Sequence, residues 1–175
     1  GGLVVMPTDT IYGLVASAEN QQAVERLYAV RGRAPQKPCI VLVANVDEIT
    51  DVENWSPKHK QLAKKYWPGP MSLVIQTSKA PEYLHRSTKT LAYRVPSNKE
   101  LRQLLLRTGP LIAPSANPEG QPPATTIKEA QKYFGEKIDG YVQAGKMAGG
   151  APSTVVEVNG EKIVVLRQGA IVVED

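Results

Sequence analysis

From Pro7 to Leu14 the chain reads Pro-Thr-Asp-Thr-Ile-Tyr-Gly-Leu, directly after the apolar Val4, Val5 and Met6. Small hydroxyls, one carboxylate, one phenol and a glycine are costly to bury and build regular structure poorly. Following a strand, such a run reads as a loop that presents polar atoms to a ligand. Far along the chain stand Arg31-Gly32-Arg33, Arg94, Ser115-Ala116-Asn117, Ser153-Thr154 and Arg167. Guanidinium forks together with hydroxyls and an amide suit an anionic substrate.

Each of these groups also has a plain structural reading. Arg31 and Arg33 flank a glycine that permits close backbone approach, with Lys37 shortly beyond and Pro35 breaking the helix. They form either a grip on one polyanion or a solvated helix end. Arg94 shares one strand face with Ala92 and Pro96, so its charge needs either an ionic partner within the fold or a bound carboxylate. Arg167, immediately after the Ile163–Leu166 run, has the same two readings. Pro114-Ser115-Ala116-Asn117-Pro118 is either a rigid display of a hydroxyl and an amide or a structural turn.

Other chemistries fit less well. Neither a G-x-x-x-x-G-K-[ST] loop nor a G-x-G-x-x-G turn after a strand occurs, so a P-loop and a Rossmann dinucleotide site are unsupported. His59 sits among Lys58, Lys60, Lys64 and Lys65, and His85 beside Arg86. Both read as surface histidines, without the spacing of a metal site or a triad. Asp9 is a candidate Mg²⁺-side carboxylate, yet one carboxylate is an incomplete site. Cys39, the single cysteine, lies in an apolar run to Val43 and reads as a buried strand thiol rather than a nucleophile.

These residues need a scaffold, and the periodicity supplies one. Strand-like runs are Leu3–Met6, Cys39–Val43, Leu73–Gln76, Leu91–Val95, Leu111–Ala113, Thr154–Val158 and Lys162–Leu166. Helical spacing spans about Gln21 to Val30, with Val24, Leu27 and Tyr28 on one face. A second helix starts at Ser56 as cap with Pro57 at its first position, and a third follows Ser97-Asn98. Thr126 and Glu129 predict a capping box for a fourth. Strands alternating with helices mean an α/β fold, and the hairpin signal at Asn159-Gly160 makes the sheet mixed. A length of 175 residues is one domain, 1–175, by the usual prior, and the strand beginning just after Gly1-Gly2 leaves an N-terminal helix expected upstream.

A net charge of +4 fits nucleotides, phosphates or RNA without singling out any of them. No run of about 18 apolar residues and no signal-peptide pattern occurs, so a soluble, cytoplasmic protein without membrane contact is expected.

In order and spacing, seven motifs together resemble the YrdC/TsaC-like threonylcarbamoyl-AMP synthases. They are Pro7–Leu14, Arg31-x-Arg33, Trp67-Pro68-Gly69-Pro70, Arg94-Val95-Pro96, Pro114–Asn117 with Gly120, Ser153-Thr154 and Arg167-Gln168-Gly169. The resemblance implies a single α/β domain with a twisted, open, mixed sheet, flanked by helices, around a concave basic cleft. It implies that L-threonine, bicarbonate and ATP (with Mg²⁺) give L-threonylcarbamoyl-AMP and diphosphate. A partner transferase would then carry the threonylcarbamoyl group to a tRNA adenosine beside the anticodon.

Carried over by position, Thr10, Tyr12 and Ala113 would line the threonine pocket, Arg94 would pair with the threonine carboxylate, and Ser153 would help hold the amino acid. Arg33, with Arg31 and Lys37, would grip the triphosphate. Ser115, Asn117 and Pro123 would contact the nucleotide, and Arg167 would close over it. No protein nucleophile is expected, because positioning and charge neutralisation carry such a step.

Two departures stand out. Arg31 replaces the family's usual Lys, keeping the charge, and Leu42 stands where some relatives have a polar residue near the threonine. The resemblance is expected to be to the short, single-domain form, with no second domain after Asp175. An RNA-binding module of the same fold, with direct tRNA contact, is the alternative. Aromatics at 6% and no basic run longer than two disfavour it. A carbamoyl-transferring module, as in hydrogenase-maturation proteins, is disfavoured by the missing companion segments.

Overall fold

The computed structural model describes residues 1–147 and 150–174. Strand β1 (Val4–Pro7) turns back antiparallel into β2 (Tyr12–Ser17). The chain then runs through α1 (Gln21–Arg31), β3 (Val41–Leu42), α2 (Pro57–Tyr66), β4 (Met71–Gln76), α3 (Glu82–His85) and β5 (Thr90–Arg94). It continues through α4 (Lys99–Thr108), β6 (Leu111–Ile112), α5 (Ile127–Phe134), β7 (Gly140–Tyr141), β8 (Thr154–Asn159) and β9 (Lys162–Arg167). Among the described residues these strands make one mixed sheet in the order β7-β1-β2-β6-β3-β5-β4-β8-β9. The hairpin expected at Asn159-Gly160 is present, with Gly160 at φ 62°. No described helix is long and apolar enough to cross a membrane.

Alternation on the central strands separates core from cleft. Leu73, Ile75, Leu91, Tyr93 and Val156 join the main core, while their neighbours Val74, Ala92, Arg94 and Val155 line a cavity on the other face. A second cluster, Val15, Leu42, Leu101, Leu105 and Leu111, packs under α4. Leu42 is fully buried there and does not line the cavity, so its departure from the family pattern lies off the site.

Three local expectations need correction. The run from Tyr12 onward is a strand, not loop, because β1 and β6 take up its backbone hydrogen bonds on either side. The capping box sits on α2, where Ser56 Oγ accepts from the His59 amide and His59 Nδ1 accepts from the Ser56 amide. At α5 Thr126 caps alone, because the Glu129 carboxylate accepts from Thr125 instead. His59 and His85 are half-buried rather than surface residues, and burial lowers the His59 pKa from its ordinary 6.5.

Candidate active site

The cavity, about 530 Å³, opens where the ends of β2, β5 and β9 meet the loop from α1 to β3, the loop after β6 and the segment leading into β8. Its first wall is the tight turn between β1 and β2. Thr8 Oγ1 accepts from the Thr10 amide at 3.2 Å and the Ile11 amide at 3.3 Å, and donates to the Ile11 carbonyl at 2.7 Å. That folds the polar run on itself and sets Thr10 on the cavity.

The 113–117 loop lies alongside β2 by backbone bonds from Leu14 N to Pro114 O and from Ala116 N to Tyr12 O, each 2.9 Å. Gly13 faces Ser115 in this pairing, where a Cβ would come within 3.2 Å of Thr8 Cγ2. Arg31, at the end of α1, ties the loop from below. Its Nε donates to the Asn117 carbonyl at 2.8 Å and its Nη2 to Ser115 Oγ at 3.4 Å. Arg33 is held by donation to the carbonyls of Lys37 and Pro38.

On the opposite wall, Arg167 donates from Nε and Nη2 to the Ser153 carbonyl, at 3.1 and 2.8 Å, and from Nη2 to Ser153 Oγ at 3.1 Å. Ser153 Oγ also pairs with Ser72 Oγ at 2.8 Å in the interior. The following Gly169 packs so closely that a Cβ would lie 2.2 Å from the Pro152 carbonyl oxygen, so only glycine fits. Arg94 reaches the cavity from β5 with its Nη2 3.2 Å from Asp9 Oδ1.

Four arginines therefore converge on a cavity with no Asp or Glu among its described lining residues. Burial lowers the pKa of Arg31, Arg94 and Arg167, and Arg94 and Arg33 lower Arg167 further by like-charge repulsion. Asp9 pulls Arg94 back up. Arg31 Nη1, Arg94 Nε and Asn117 Oδ1 are buried on lining residues without a protein partner. Orphan polar atoms of this kind are satisfied by a polar ligand or water.

Thr10, Arg31, Arg33, Arg94, Ala113, Ser115, Asn117, Pro123, Ser153 and Arg167 all line the one cavity. Tyr12 and Lys37 do not. The Tyr12 ring is fully buried, its hydroxyl donating to the Gly145 carbonyl at 2.8 Å and accepting from the Ala144 amide at 3.0 Å. Strand alternation turns it away from the face of its neighbour Gly13, which lines the cavity, whereas Thr10 reaches the cavity from the turn before β2. Lys37 is exposed and pairs with Glu119 at 2.7 Å, a link that ties two loops together.

Asp9 is likewise not a free carboxylate for Mg²⁺. Its side chain is 1% exposed, with Oδ2 accepting from the Ser97 amide at 3.0 Å and Oδ1 against Arg94. No three His, Cys, Asp or Glu side chains gather as a metal site among the described residues. Cys39 lines the cavity, which sequence reasoning did not anticipate, but burial raises its pKa and keeps the thiol protonated. The aliphatic wall of Ile40, Val74, Ala92, Val155 and Leu166 was also missed, although the alternation around Arg94 carried the signal for Ala92.

A second groove, about 620 Å³, lies by Trp55, His59 and Asp51 and holds none of the expected residues. Burial pushes Asp51 up, but hydrogen bonds from the Ser78 and Thr77 hydroxyls and the Ser78 and Lys79 amides outweigh it. The result is a pKa of about 2 and a carboxylate saturated by structural contacts.

A model of the Sua5/YciO/YrdC family, described as "Telomere recombination", matches residues 1–169. A threonylcarbamoyl-AMP synthase of Pyrococcus abyssi is 33% identical over 178 residues, covering 100% of this chain and 52% of the relative. The chain spans about half the length of the first curated relatives it matches. The crystal structure of P. abyssi Sua5 complexed with L-threonine superposes with a TM-score of 0.88 at 32% identity, over 96% of this chain and 50% of that one. E. coli YciO superposes at 0.82 with 26% identity, over 97% and 84%.

Proposed function

The chain belongs to the Sua5/YciO/YrdC family, and from that footing we propose that its cleft makes L-threonylcarbamoyl-AMP from L-threonine, bicarbonate and ATP. The observation that carries this reading is the convergence of four arginines and three orphaned polar atoms on one cavity whose described lining has no acidic residue. Such a site neutralises a polyanion and orients it.

The threonine amine adds to the carbon of bicarbonate, and loss of water leaves a carbamate. A carbamate oxygen then bonds to the α-phosphorus of ATP as the bond to diphosphate breaks. Arg94 pairs with the threonine carboxylate, while Thr10, Ala113 and Ser153 enclose the amino acid. Arg31 and Arg33 hold the triphosphate, Ser115, Asn117 and Pro123 the nucleoside end, and Arg167 covers both. Mg²⁺ travels with ATP as part of the substrate, its charge offsetting that of the phosphates. The protein's share is alignment and charge neutralisation, effects large enough for phosphoryl chemistry without a protein nucleophile.

The product serves a cytoplasmic transferase that modifies tRNA. An RNA strand as the primary ligand is disfavoured, because the described lining offers no aromatic ring for base stacking.

Diphosphate release from ATP that requires both L-threonine and bicarbonate is the expected result in a coupled assay. Release that ignores threonine, or none at all, would sink the proposal.

A further inference from the structure

Asp9 immediately precedes the cavity-lining Thr10 but does not itself line the cavity. Its side chain and that of Arg94 are 1% and 4% exposed. The two oxygens of Asp9 do different work. Oδ2 accepts from the Ser97 amide, fixing the carboxylate to the chain that follows β5, and Oδ1 makes an ion pair with Arg94 Nη2 at 3.2 Å without hydrogen-bond geometry. Arg94 Nε is buried with no protein partner.

A buried ion pair is a poor way to gain stability, since apolar residues of similar volume usually do as well or better. This pair is also incompletely satisfied, which makes a purely structural origin worse still. A guanidinium is planar, so holding one nitrogen restricts the plane and hence the direction of every remaining N–H. Arg94 is thus held on one side by the charge of Asp9 and unfinished on the other, on the wall of an anion-seeking cavity.

We infer that Asp9 is a positioning residue: it holds Arg94 in the orientation that offers its remaining N–H groups to a ligand carboxylate, without touching the ligand. The inference rests on the proposed function for the identity of that ligand, L-threonine. It rests on the geometry alone for the orienting role.

The test is a double-mutant cycle in the diphosphate-release assay. Asp9→Asn keeps the size and removes the charge. It should raise the threonine KM at least about tenfold, the factor for loss of one charged hydrogen bond. The ATP KM should stay within about twofold, because the amino-acid contact alone is lost. In the Arg94→Ala background, Asp9→Asn should change the threonine KM no further, because it acts only through the missing guanidinium. Equal changes in both KM values, no change in either, or a full effect without Arg94 would each overturn the role.

A second measurement needs no variant. In ¹⁵N spectra of the wild-type chain without substrate, the Arg94 Nη2 protons should already rotate slowly. Fast rotation would overturn the inference even if Asp9→Asn failed to fold. Should the wild type show no threonine-dependent release, the functional reading fails, and the rotation measurement still decides the orienting role.

Discussion

Truncating Arg94 isolates what one buried guanidinium does. Arg94→Ala removes the cation proposed to meet the threonine carboxylate and leaves every residue at the nucleotide end in place. The expected threonine KM rises by about ten- to hundredfold, from the loss of a charge-assisted bond worth ~1.5–3 kcal/mol. The ATP KM should move much less, and steady-state kinetics with each substrate varied in turn separates the two. Equal rises would assign Arg94 to general charge rather than to the carboxylate. The two sequence-level readings of Arg94, internal ion pair or carboxylate site, turn out compatible, because Asp9 occupies only part of the guanidinium. No spacing rule links position 9 to position 94, since their contact depends on how the sheet closes. Arg31 was legible as a cation but not as the tie of the 115–117 loop, a job that uses the fork of a guanidinium and that the amine of a lysine cannot duplicate.

At the scale of elements, the four longer helices were the legible part, while the one-turn α3 at Glu82–His85 was not. Their caps and apolar spacing are local: α2, α4 and α5 begin where Ser56, Asn98 and Thr126 indicate, and α1 begins at Gln21, where its apolar spacing starts. Strand β2 was hidden because nearly all its residues are buried, which removes the alternation that marks a half-exposed strand. The two-residue β7 exists only through pairing with β1. The α2 cap has a pH signature. His59 Nδ1 accepts the Ser56 amide only when the ring nitrogen is unprotonated, and burial sets the folded pKa below the ordinary 6.5. With the folded value depressed, the unfolded state binds the proton more readily. The stabilisation is present above about pH 6.5 and lost as pH falls through the folded pKa. Melting temperature should therefore fall more between pH 7 and pH 5 in the wild type than in His59→Gln. Parallel pH profiles for the two would show that the ring contributes no titrating cap.

At the scale of the whole molecule, one open sheet brings together cations that begin far apart in sequence, at positions 31, 33, 94 and 167. A net charge of +4 understates the local field, because four arginines line the cavity and the acids that partly offset them, Asp9 at Arg94 and Glu119 near Arg31, stand outside its described lining. Burial, and after it Arg94 and Arg33, depress the pKa of Arg167, so the cleft carries like-charge repulsion that folding must overcome. An anion that binds only the folded chain removes that repulsion and adds its own binding free energy. Diphosphate, the proposed product, should therefore raise the melting temperature without threonine or nucleotide present. At a hundred times its Kd the linkage gives ~2.7 kcal/mol. For a chain of this size that corresponds to a rise of about 5–10 °C. Sodium chloride at matched ionic strength should not reproduce the shift, and Arg33→Ala should shrink it, since multivalent binding depends on the arginines acting together. Moderate added salt should weaken the diphosphate effect by screening. If chloride stabilises as well as diphosphate, or if Arg33→Ala leaves the shift intact, the cleft is a diffuse basic surface and not a site built for a polyphosphate.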